Sequence, residues 1–374
     1  MKKRSYLHPS TDDTEFAFVT CQCESEAVLK SSAAVDGWNC GFTRPGFLTM
    51  NRRRTELPKR SPAEQTGDFD LPSGCFIRAA SHSLGNVVDD DADAAARFIV
   101  ESVLATELVD SQRGPFDALH VWSRDRVKTG KFGFEPGPTL VDQNVGQHLL
   151  DQMPRELVRS TSVNPVLALD QRVLDVCLAE PSNMWFGWHT VREVNQGWPG
   201  AVQPMDPNLE PVSRAYFKAA EALAWCGFPF SDGDRFAEIG SSPGGACQRL
   251  LEMGFHVTGI DPALMDDRIM ANPRFTHVRA RGGDIPRRDY VGVKWLMVDS
   301  NVRPDKTLTT VKNIVNHHSV NIQGVLLTLK LGEYDDAQKI GQWQRALESW
   351  GYCHVRIRQL ARGKRELCLA AHKG

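Results

Sequence analysis

Four ionisable residues in the C-terminal half could together take a proton from a hydroxyl group. They are Lys218, Asp299, Lys330 and Glu366. An ordinary lysine, with a pKa of about 10.4, is protonated at neutral pH and cannot act as a base. A second lysine nearby and partial loss of solvent would lower the pKa of one of them, while two carboxylates would orient the group. We therefore expect these residues to form one site.

The elements that must position these residues are strands and helices that alternate along residues 213–374. The predicted strands are Arg235–Gly240, His256–Asp261, Phe275–Ala280, Val293–Ser300, Gly324–Lys330, Tyr352–Leu360 and Glu366–His372. The predicted helices are Ser213–Phe228, Gly244–Met253, Pro304–His318 and Asp335–Trp350. Such alternation predicts an α/β fold with a parallel sheet covered on both faces. The last two strands are separated by too few residues for a parallel crossover, so we expect an antiparallel hairpin and a seven-stranded methyltransferase sheet.

Three of the four ionisable residues are expected at one edge of that sheet. Ligands of open α/β sheets bind beyond the carboxyl ends of the parallel strands, and Asp299 and Lys330 lie at the ends of theirs. Glu366 begins an antiparallel strand, so it lies at the same edge. Lys218 joins them only if its helix packs there. One charged residue at a strand end is usually only solvated, but three at one edge favour a shared site.

A glycine-rich turn follows the first predicted strand and indicates a bound ligand. It reads EIGSSPGG from Glu238 to Gly245. Glycines let the backbone turn sharply and approach a ligand, and the helix that follows offers unpaired N–H groups. Asp261 ends the next strand, where a carboxylate can bind both hydroxyls of an adenosine ribose. The turn and the carboxylate predict an adenosyl cofactor, whereas the lack of G-x-G-x-x-G spacing and the terminal hairpin argue against NAD.

The first 200 residues are less regular and indicate smaller α+β units. Strands are predicted at Glu15–Gln22, Gly46–Asn51, Ala118–Ser123, Arg172–Ala179 and Met184–His189, and helices at Glu24–Ala34 and Asp89–Leu108. The polar segment Arg52–Asp70 has the composition of a loop or linker. Gly197, Pro199 and Pro204 mark a boundary, and we expect three domains at 1–72, 73–198 and 199–374.

Charge and cysteine content indicate the kind of partner and the cellular compartment of the protein. The net charge of −2 combines 21 basic and 27 acidic residues before position 201 with 23 basic and 19 acidic residues after it. The basic excess of the second half is compatible with a polyanionic partner. Nine scattered cysteines without a C-x-x-C motif favour a reduced, cytoplasmic protein without a metal site. No apolar run approaches the ~20 residues that span a bilayer, so we expect no membrane partner.

The motifs EIGSSPGG, VTGID, WLMVD, LTLK and the terminal REL, in this order, resemble those of the FtsJ-type ribose 2′-O-methyltransferases. VSRAYFKAAEAL, LTLKLG and RQL followed by KREL resemble more specifically the RlmM type, the bacterial 23S rRNA cytidine 2′-O-methyltransferases. This resemblance implies a Rossmann-like methyltransferase sheet that uses S-adenosylmethionine. It also implies that the partner is RNA, namely large-subunit rRNA, and that a cytidine ribose is methylated.

The same resemblance implies roles for individual residues. The family's Lys–Asp–Lys–Glu tetrad carries over to Lys218, Asp299, Lys330 and Glu366, with Lys330 as the base. Its cofactor contacts carry over to Ser213, Gly240, Ser242, Pro243, Gly244, Gly245, Asp261, Asp284 and Asp299. The chain departs from the family in Glu238, where Asp is usual, and in Ala246, where an aromatic residue is common. The family's third-strand Asp aligns closest to Arg281, three residues before Asp284.

A weaker resemblance covers the N-terminal half. VLDVCLAEPSNMWFGWH resembles the end of a THUMP RNA-binding domain, which implies a ferredoxin-like unit at 1–72 and a THUMP-like unit at 73–198. RNA contacts would come from local basic clusters at Arg52–Arg54 with Lys59 and Arg60, at Arg124–Lys131 and at Arg362–Arg365. Trp185, Phe186 and Trp188 could stack on RNA bases, although aromatic residues in closing strands more often belong to the core.

Two other functions stay open at this point. A methyltransferase that acts on an RNA base commonly has an [ND]-P-P-[FY] motif after the fourth strand, whereas this chain has Asp299-Ser-Asn-Val. A non-catalytic RNA-binding or assembly factor could keep a degenerate methyltransferase fold. The intact tetrad argues against such decay, and the altered glycine turn leaves it possible.

Overall fold

A computed structural model describes residues 4–7, 14–53, 70–106, 108–109 and 114–374. The chain forms two compact units, Met1–Pro204 and Met205–Gly374. Each unit has its own β-sheet. The sheet of the first unit uses strands from both 1–72 and 73–198, and the division of this unit into two domains stays a prediction.

In its described residues, the first unit contains an eight-stranded sheet and three α-helices. Its strands are β1 (Arg4–Leu7), β2 (Thr14–Thr20), β3 (Asn39–Arg44), β4 (Phe47–Arg53), β5 (Ala79–Val88), β6 (Ala118–Ser123), β7 (Arg172–Glu180) and β8 (Asn183–Thr190). Its helices are α1 (Glu26–Val35), α2 (Ala92–Leu104) and α3 (Leu140–Gln152). The strand order is β3-β4-β2-β5-β8-β7-β6, with β1 paired to β5. The β6–β7 pair is parallel, and the other pairs are antiparallel.

Four of the residues proposed for RNA contacts are buried in this unit. Trp185, Phe186 and Trp188 are buried in the core, so they are not available to stack on bases. Arg124 is also buried, and its guanidinium lies 2.6 Å from a carboxylate oxygen of Glu180. Of the cluster at Arg52–Arg54 with Lys59 and Arg60, only the first two residues lie within the described part of the chain.

The second unit contains a seven-stranded sheet, and helices connect most of its strands along the chain. Its strands are β9 (Arg235–Ile239), β10 (His256–Ile260), β11 (Phe275–Val278), β12 (Trp295–Val298), β13 (Gly324–Lys330), β14 (His354–Arg358) and β15 (Glu366–His372). Its helices are α4 (Ala215–Trp225), α5 (Gly245–Glu252), α6 (Asp267–Met270), α7 (Pro304–Val315) and α8 (Ile340–Ser349). The strand order is β11-β10-β9-β12-β13-β15-β14.

The pairing of these strands confirms the predicted closing hairpin. Strands β9 to β13 pair with one another in parallel. Strand β15 is antiparallel both to β13 and to β14. An antiparallel last strand begins where its parallel neighbour ends, and Lys330 is indeed paired with Glu366. The apolar strands therefore form the core of this unit, and their polar ends converge at one edge.

The described residues also show the state of the cysteines and the apolar character of the helices. All nine cysteines are free. Within the described ranges, no helix combines the length and the apolar composition needed to cross a membrane.

Candidate active site

The four ionisable residues meet at the carboxyl edge of the second sheet. Lys218 lies in the first half of α4, and Asp299 directly follows β12. Lys330 is the last residue of β13, and Glu366 is the first residue of β15. The antiparallel register places Lys330 and Glu366 side by side. The structure thus brings Lys218 into contact with Asp299 and Glu366, which the sequence pattern left undecided.

These residues, the tetrad, form a closed ring of alternating charge. The Nζ atom of Lys330 lies 2.9 Å from Oδ1 of Asp299 and 2.6 Å from Oε2 of Glu366. The Nζ atom of Lys218 lies 3.1 Å from Oε1 of Glu366 and donates a hydrogen bond to Oδ2 of Asp299. Each ammonium group therefore contacts both carboxylates. Lys330 is the most accessible member, with 29% of its side chain exposed.

The charges of the ring outweigh the effect of burial on its pKa values. Burial lowers the pKa of Lys330, but Glu366 and Asp299 raise it by more than burial lowers it. The pKa of Lys330 therefore lies above its ordinary value. Burial likewise raises the pKa of Asp299, and the two lysines more than reverse this. The sequence predicts a lowered pKa for one of the two lysines, and for Lys330 the opposite holds, because two carboxylates contact its ammonium group. Lys330 is protonated in this arrangement at neutral pH.

The glycine turn places the end of β9 against the end of β12. Gly240 and Gly244 have φ angles of +84° and +119°, which favour glycine. A Cβ atom on Gly240 would come within 2.5 Å of the carbonyl oxygen of Asp299. A Cβ atom on Gly245 would collide with the Ser213 hydroxyl. The turn is therefore packed directly beside the tetrad, and side chains at these positions would separate them.

Hydrogen bonds join the same turn to the end of β10. The carboxylate of Asp261 accepts hydrogen bonds from the backbone N–H of Ser242 at 3.3 Å and of Ala263 at 2.8 Å. The Ser242 hydroxyl donates to the carbonyl oxygen of Leu264 at 2.7 Å, and the carbonyl oxygen of Pro243 accepts from a backbone N–H at 2.9 Å. The turn and the carboxylate are therefore held as one unit, as a nucleoside site requires.

Asp284 stands apart from these residues. It lies in an exposed turn after β11, and its backbone N–H donates to the carbonyl oxygen of Arg281 at 2.9 Å. Its carboxylate makes no hydrogen bond or ion pair with any residue that the structure describes. The structure therefore does not bring Asp284 into contact with the glycine turn, and a role in cofactor binding stays a prediction.

The donor set beside the tetrad fits an adenosyl cofactor. The hydroxyl oxygen of Ser213 is buried and has no hydrogen-bond partner within the described part of the chain. It faces the first residue of α5, where backbone N–H groups are free to bind a polar ligand. Asp261 supplies a carboxylate at the end of the adjacent strand. Among the described residues, no group of three or more His, Cys, Asp or Glu could hold a metal ion.

Two buried carboxyl groups lie near the site but are not among the site residues predicted from the sequence. Glu238, at the start of the turn, accepts a hydrogen bond from the thiol of Cys247 at 2.7 Å, and burial raises its pKa to about 8. Glu221 lies in α4, three residues after Lys218, and is fully buried. Residues three apart share a helix face, so the spacing from Lys218 was the available signal for Glu221.

A comparison with known families agrees with this geometry. Residues 211–321 match the sequence model of the FtsJ-like methyltransferases. The likeness to an FtsJ-like methyltransferase domain thus covers 111 of the 374 residues, all of them in the second unit. The matched residues include Lys218, the glycine turn, Asp261 and Asp299, and they end before Lys330 and Glu366. A search of curated proteins finds no match.

Solved structures give only weak likenesses. A possible hemolysin from Lactococcus lactis is 15% identical over 45% of this chain and 90% of its own, with a TM-score of 0.37. A possible methylase from Clostridium difficile 630 is 8% identical over 96% and 98%, with a TM-score of 0.35. TrmN from Thermus thermophilus is 12% identical over 96% and 99%, with a TM-score of 0.33. At such scores these likenesses carry no argument about fold or function.

Proposed function

We propose that this methyltransferase transfers the methyl group of S-adenosylmethionine to a ribose 2′-oxygen of RNA, a cytidine of 23S rRNA. The observation that carries the proposal is the tetrad at the sheet edge, directly beside the glycine turn. A ribose 2′-hydroxyl is a poor nucleophile until its proton is removed. The ring of two lysines and two carboxylates supplies proton acceptors within one hydrogen-bonded group.

The cofactor would be held by residues that the structure brings together. The Ser213 hydroxyl and the Ser242–Gly245 turn would bind its polar groups, and Asp261 would accept hydrogen bonds from the ribose hydroxyls. S-adenosylmethionine would supply the methyl group on a positively charged sulfonium, whose charge disfavours a protonated Lys330. Holding the nucleophile and the methyl donor in line would provide much of the rate.

Lys330 is the proposed base, and its raised pKa gives the proposal a testable consequence. The proton of the 2′-hydroxyl would pass to Nζ of Lys330 while the methyl carbon exchanges its bond to the sulfonium sulfur for a bond to the 2′-oxygen, and S-adenosylhomocysteine would leave. Lys330 must therefore first lose its own proton. Lys218 and Asp299 position Lys330, and Glu366 completes the ring. Because the pKa of Lys330 is raised, the methylation rate should increase with pH through the neutral range. A rate independent of pH between about 6 and 9 would contradict this role.

The N-terminal unit is proposed to contact the RNA, with a ferredoxin-like part at 1–72 and a THUMP-like part at 73–198, in a cytoplasmic protein. The similarity of VLDVCLAEPSNMWFGWH to the end of a THUMP domain supports this. The aromatic residues of that segment are buried, so contacts with RNA would come from exposed loops of the unit.

Product analysis tests the proposed function. Purified protein is incubated with unmodified rRNA and methyl-labelled S-adenosylmethionine, and the RNA is digested to nucleosides for mass spectrometry. We expect label in 2′-O-methylcytidine. Label in a base-methylated nucleoside would instead support an RNA base methyltransferase. Failure to bind S-adenosylmethionine in calorimetry would support a non-catalytic RNA-binding or assembly factor.

A further inference from the structure

The loop between β14 and β15, residues 359–365, lies directly against the tetrad. It leads into Glu366, the first residue of β15. A Cβ atom added to Gly363 would come within 3.3 Å of the carboxylate oxygen Oε1 of Glu366. A molecule whose reacting oxygen enters the tetrad therefore has this loop as an immediate neighbour.

A buried carboxylate fixes the backbone of this loop to α4. Glu221 accepts hydrogen bonds from the backbone N–H groups of Ala361 at 2.9 Å and of Arg362 at 3.3 Å. The side chain of Gln359 donates to the carbonyl oxygen of Lys364 at 3.2 Å, which closes the loop on itself. Because α4 also carries Lys218, one helix positions both the tetrad and the loop.

The fixed loop presents three basic side chains, those of Arg362, Lys364 and Arg365. The Arg362 guanidinium lies 5.1 Å from the ring centroid of Phe217, the residue before Lys218. Arg365 pairs with Glu333 at 3.0 Å on the surface, where such pairs contribute little. Lys364 is exposed, and its ammonium group has no carboxylate partner among the described residues.

The charge distribution indicates what this loop binds. The tetrad contains two ammonium groups and two carboxylates, so it has no net charge with which to attract a polyanion. The loop adds three basic side chains beside it, and the carboxylates of Glu333 and Glu221 offset two of these charges, so a net positive charge remains. In RNA, each ribose 2′-hydroxyl is flanked by phosphates of the same strand, and phosphate contacts provide most of the binding free energy of such proteins.

We propose that the 359–365 loop binds the RNA phosphates that flank the target ribose, with Lys364 as the main contact and Glu221 as a positioning residue. This rests on the proposed function, because it takes the ribose to be the group that enters the tetrad. The loop supplies affinity and orientation, and the tetrad supplies the proton transfer. Loss of the loop's charge therefore affects RNA binding and leaves the chemistry of the bound complex intact.

The test compares Lys364→Ala with Lys312→Ala, which removes an exposed lysine from α7, an element with no part in the tetrad. Filter binding of rRNA is measured over a range of salt concentrations, together with KM and kcat for methylation. For Lys364→Ala we expect RNA affinity to fall about 5- to 20-fold, kcat to change less than about twofold, and the slope of log affinity against log salt to fall by about 1. Lys312→Ala should match the wild type.

Equal behaviour of the two lysine variants would overturn the loop proposal. An inactive wild type would overturn the proposed function, while the binding measurements would still decide whether the loop contacts RNA. Glu221→Gln keeps the size of the side chain and removes its charge. We expect it to weaken RNA binding and to reduce the salt slope, with little further effect in combination with Lys364→Ala. If Glu221→Gln only lowers the melting temperature and leaves the salt slope unchanged, its positioning role is wrong.

Discussion

Each unit of the molecule has a cluster of polar and charged side chains, and the two clusters differ in their exposure to solvent. In the first unit, the Ser81 hydroxyl donates to Oδ2 of Asp175 at 2.7 Å, and Nδ1 of His189 lies 2.5 Å from the same oxygen. Nε2 of His189 faces the carbonyl oxygen of Gln196 at 3.0 Å. All three members of this cluster are buried. In the second unit, the tetrad is open to solvent at Lys330.

The difference shows that access to solvent, rather than residue type, decides what a cluster can do. Serine, histidine and aspartate are the residues of hydrolase triads, but here the serine bonds to the carboxylate and not to the imidazole. The three residues belong to β5, β7 and β8 and are buried, so no substrate reaches them. The tetrad lies where strands end, and its side chains project beyond the sheet. We therefore assign stability to the first cluster and chemistry to the second.

The same substitution in both clusters tests this assignment with the largest expected effects. Asp299→Asn removes a carboxylate that contacts both lysines of the tetrad and should lower the methylation rate about 10³-fold. Asp175→Asn breaks a buried ion pair and should lower the free energy of unfolding by about 3–5 kcal/mol. Urea unfolding and the rate per folded molecule are measured for each variant.

The two variants should therefore show opposite profiles. Asp299→Asn should stay folded and be nearly inactive, and Asp175→Asn should be less stable with a rate per folded molecule within about twofold of the wild type. A folded but inactive Asp175→Asn, or a fully active Asp299→Asn, would contradict the comparison.

A smaller effect is expected from a substitution in the glycine turn beside the tetrad. Gly240→Ala places a Cβ atom 2.5 Å from the carbonyl oxygen of Asp299 at a φ of +84°. Backbone strain and overpacking should together cost about 2–4 kcal/mol. Thermal unfolding and calorimetry with S-adenosylmethionine measure the loss of stability and of cofactor affinity. Gly283→Ala is the control, because its Cβ atom meets nothing within 4 Å; equal behaviour of the two variants would count against the turn.

A last effect, spread over several pH units and therefore small at each pH step, is a pH dependence of stability from Glu238. Burial raises the pKa of this carboxyl group from 4.5 to about 8, so the folded state binds its proton more tightly than the unfolded state. Stability should therefore fall as pH rises between these values, by at most about 1.4 kcal/mol per pH unit. Glu238→Gln resembles the protonated form and should remove this fall. Urea unfolding at three pH values between about 6 and 8 tests it, and parallel slopes for the two proteins would refute the explanation.

Much of the second sheet was predictable from its sequence because parallel strands have a simple pattern. Asp299, Lys330 and Glu366 were predicted at one edge from strand ends and from one short connection, and the structure confirms this. The contact of Lys218 depends on how α4 packs, which is a tertiary feature. The direction of the pKa shift of Lys330 depends on distances to two carboxylates, and the sequence does not contain these distances.

The first unit was less predictable because some of its helices and strands do not have a continuous apolar face. Helix α3 begins with the exposed Leu140 and Val141, so it lacks a regular apolar stripe and was missed. Strand β3 is only partly buried along its length and was also missed. The predicted helix over Asp335–Trp350 is a 3₁₀ turn at Tyr334–Lys339 followed by α8, since the acidic start of this segment packs little against the core.

The central claim is that the tetrad, with Lys330 as the base, methylates a ribose 2′-oxygen. The most direct measurement is single-turnover methylation of rRNA by Lys330→Ala, with calorimetry of S-adenosylmethionine binding on the same preparation. The account predicts that 2′-O-methylcytidine forms at least about 10³-fold more slowly than with the wild type, while cofactor affinity stays within about threefold. A Lys330→Ala protein that keeps more than about a tenth of the wild-type rate would contradict the account.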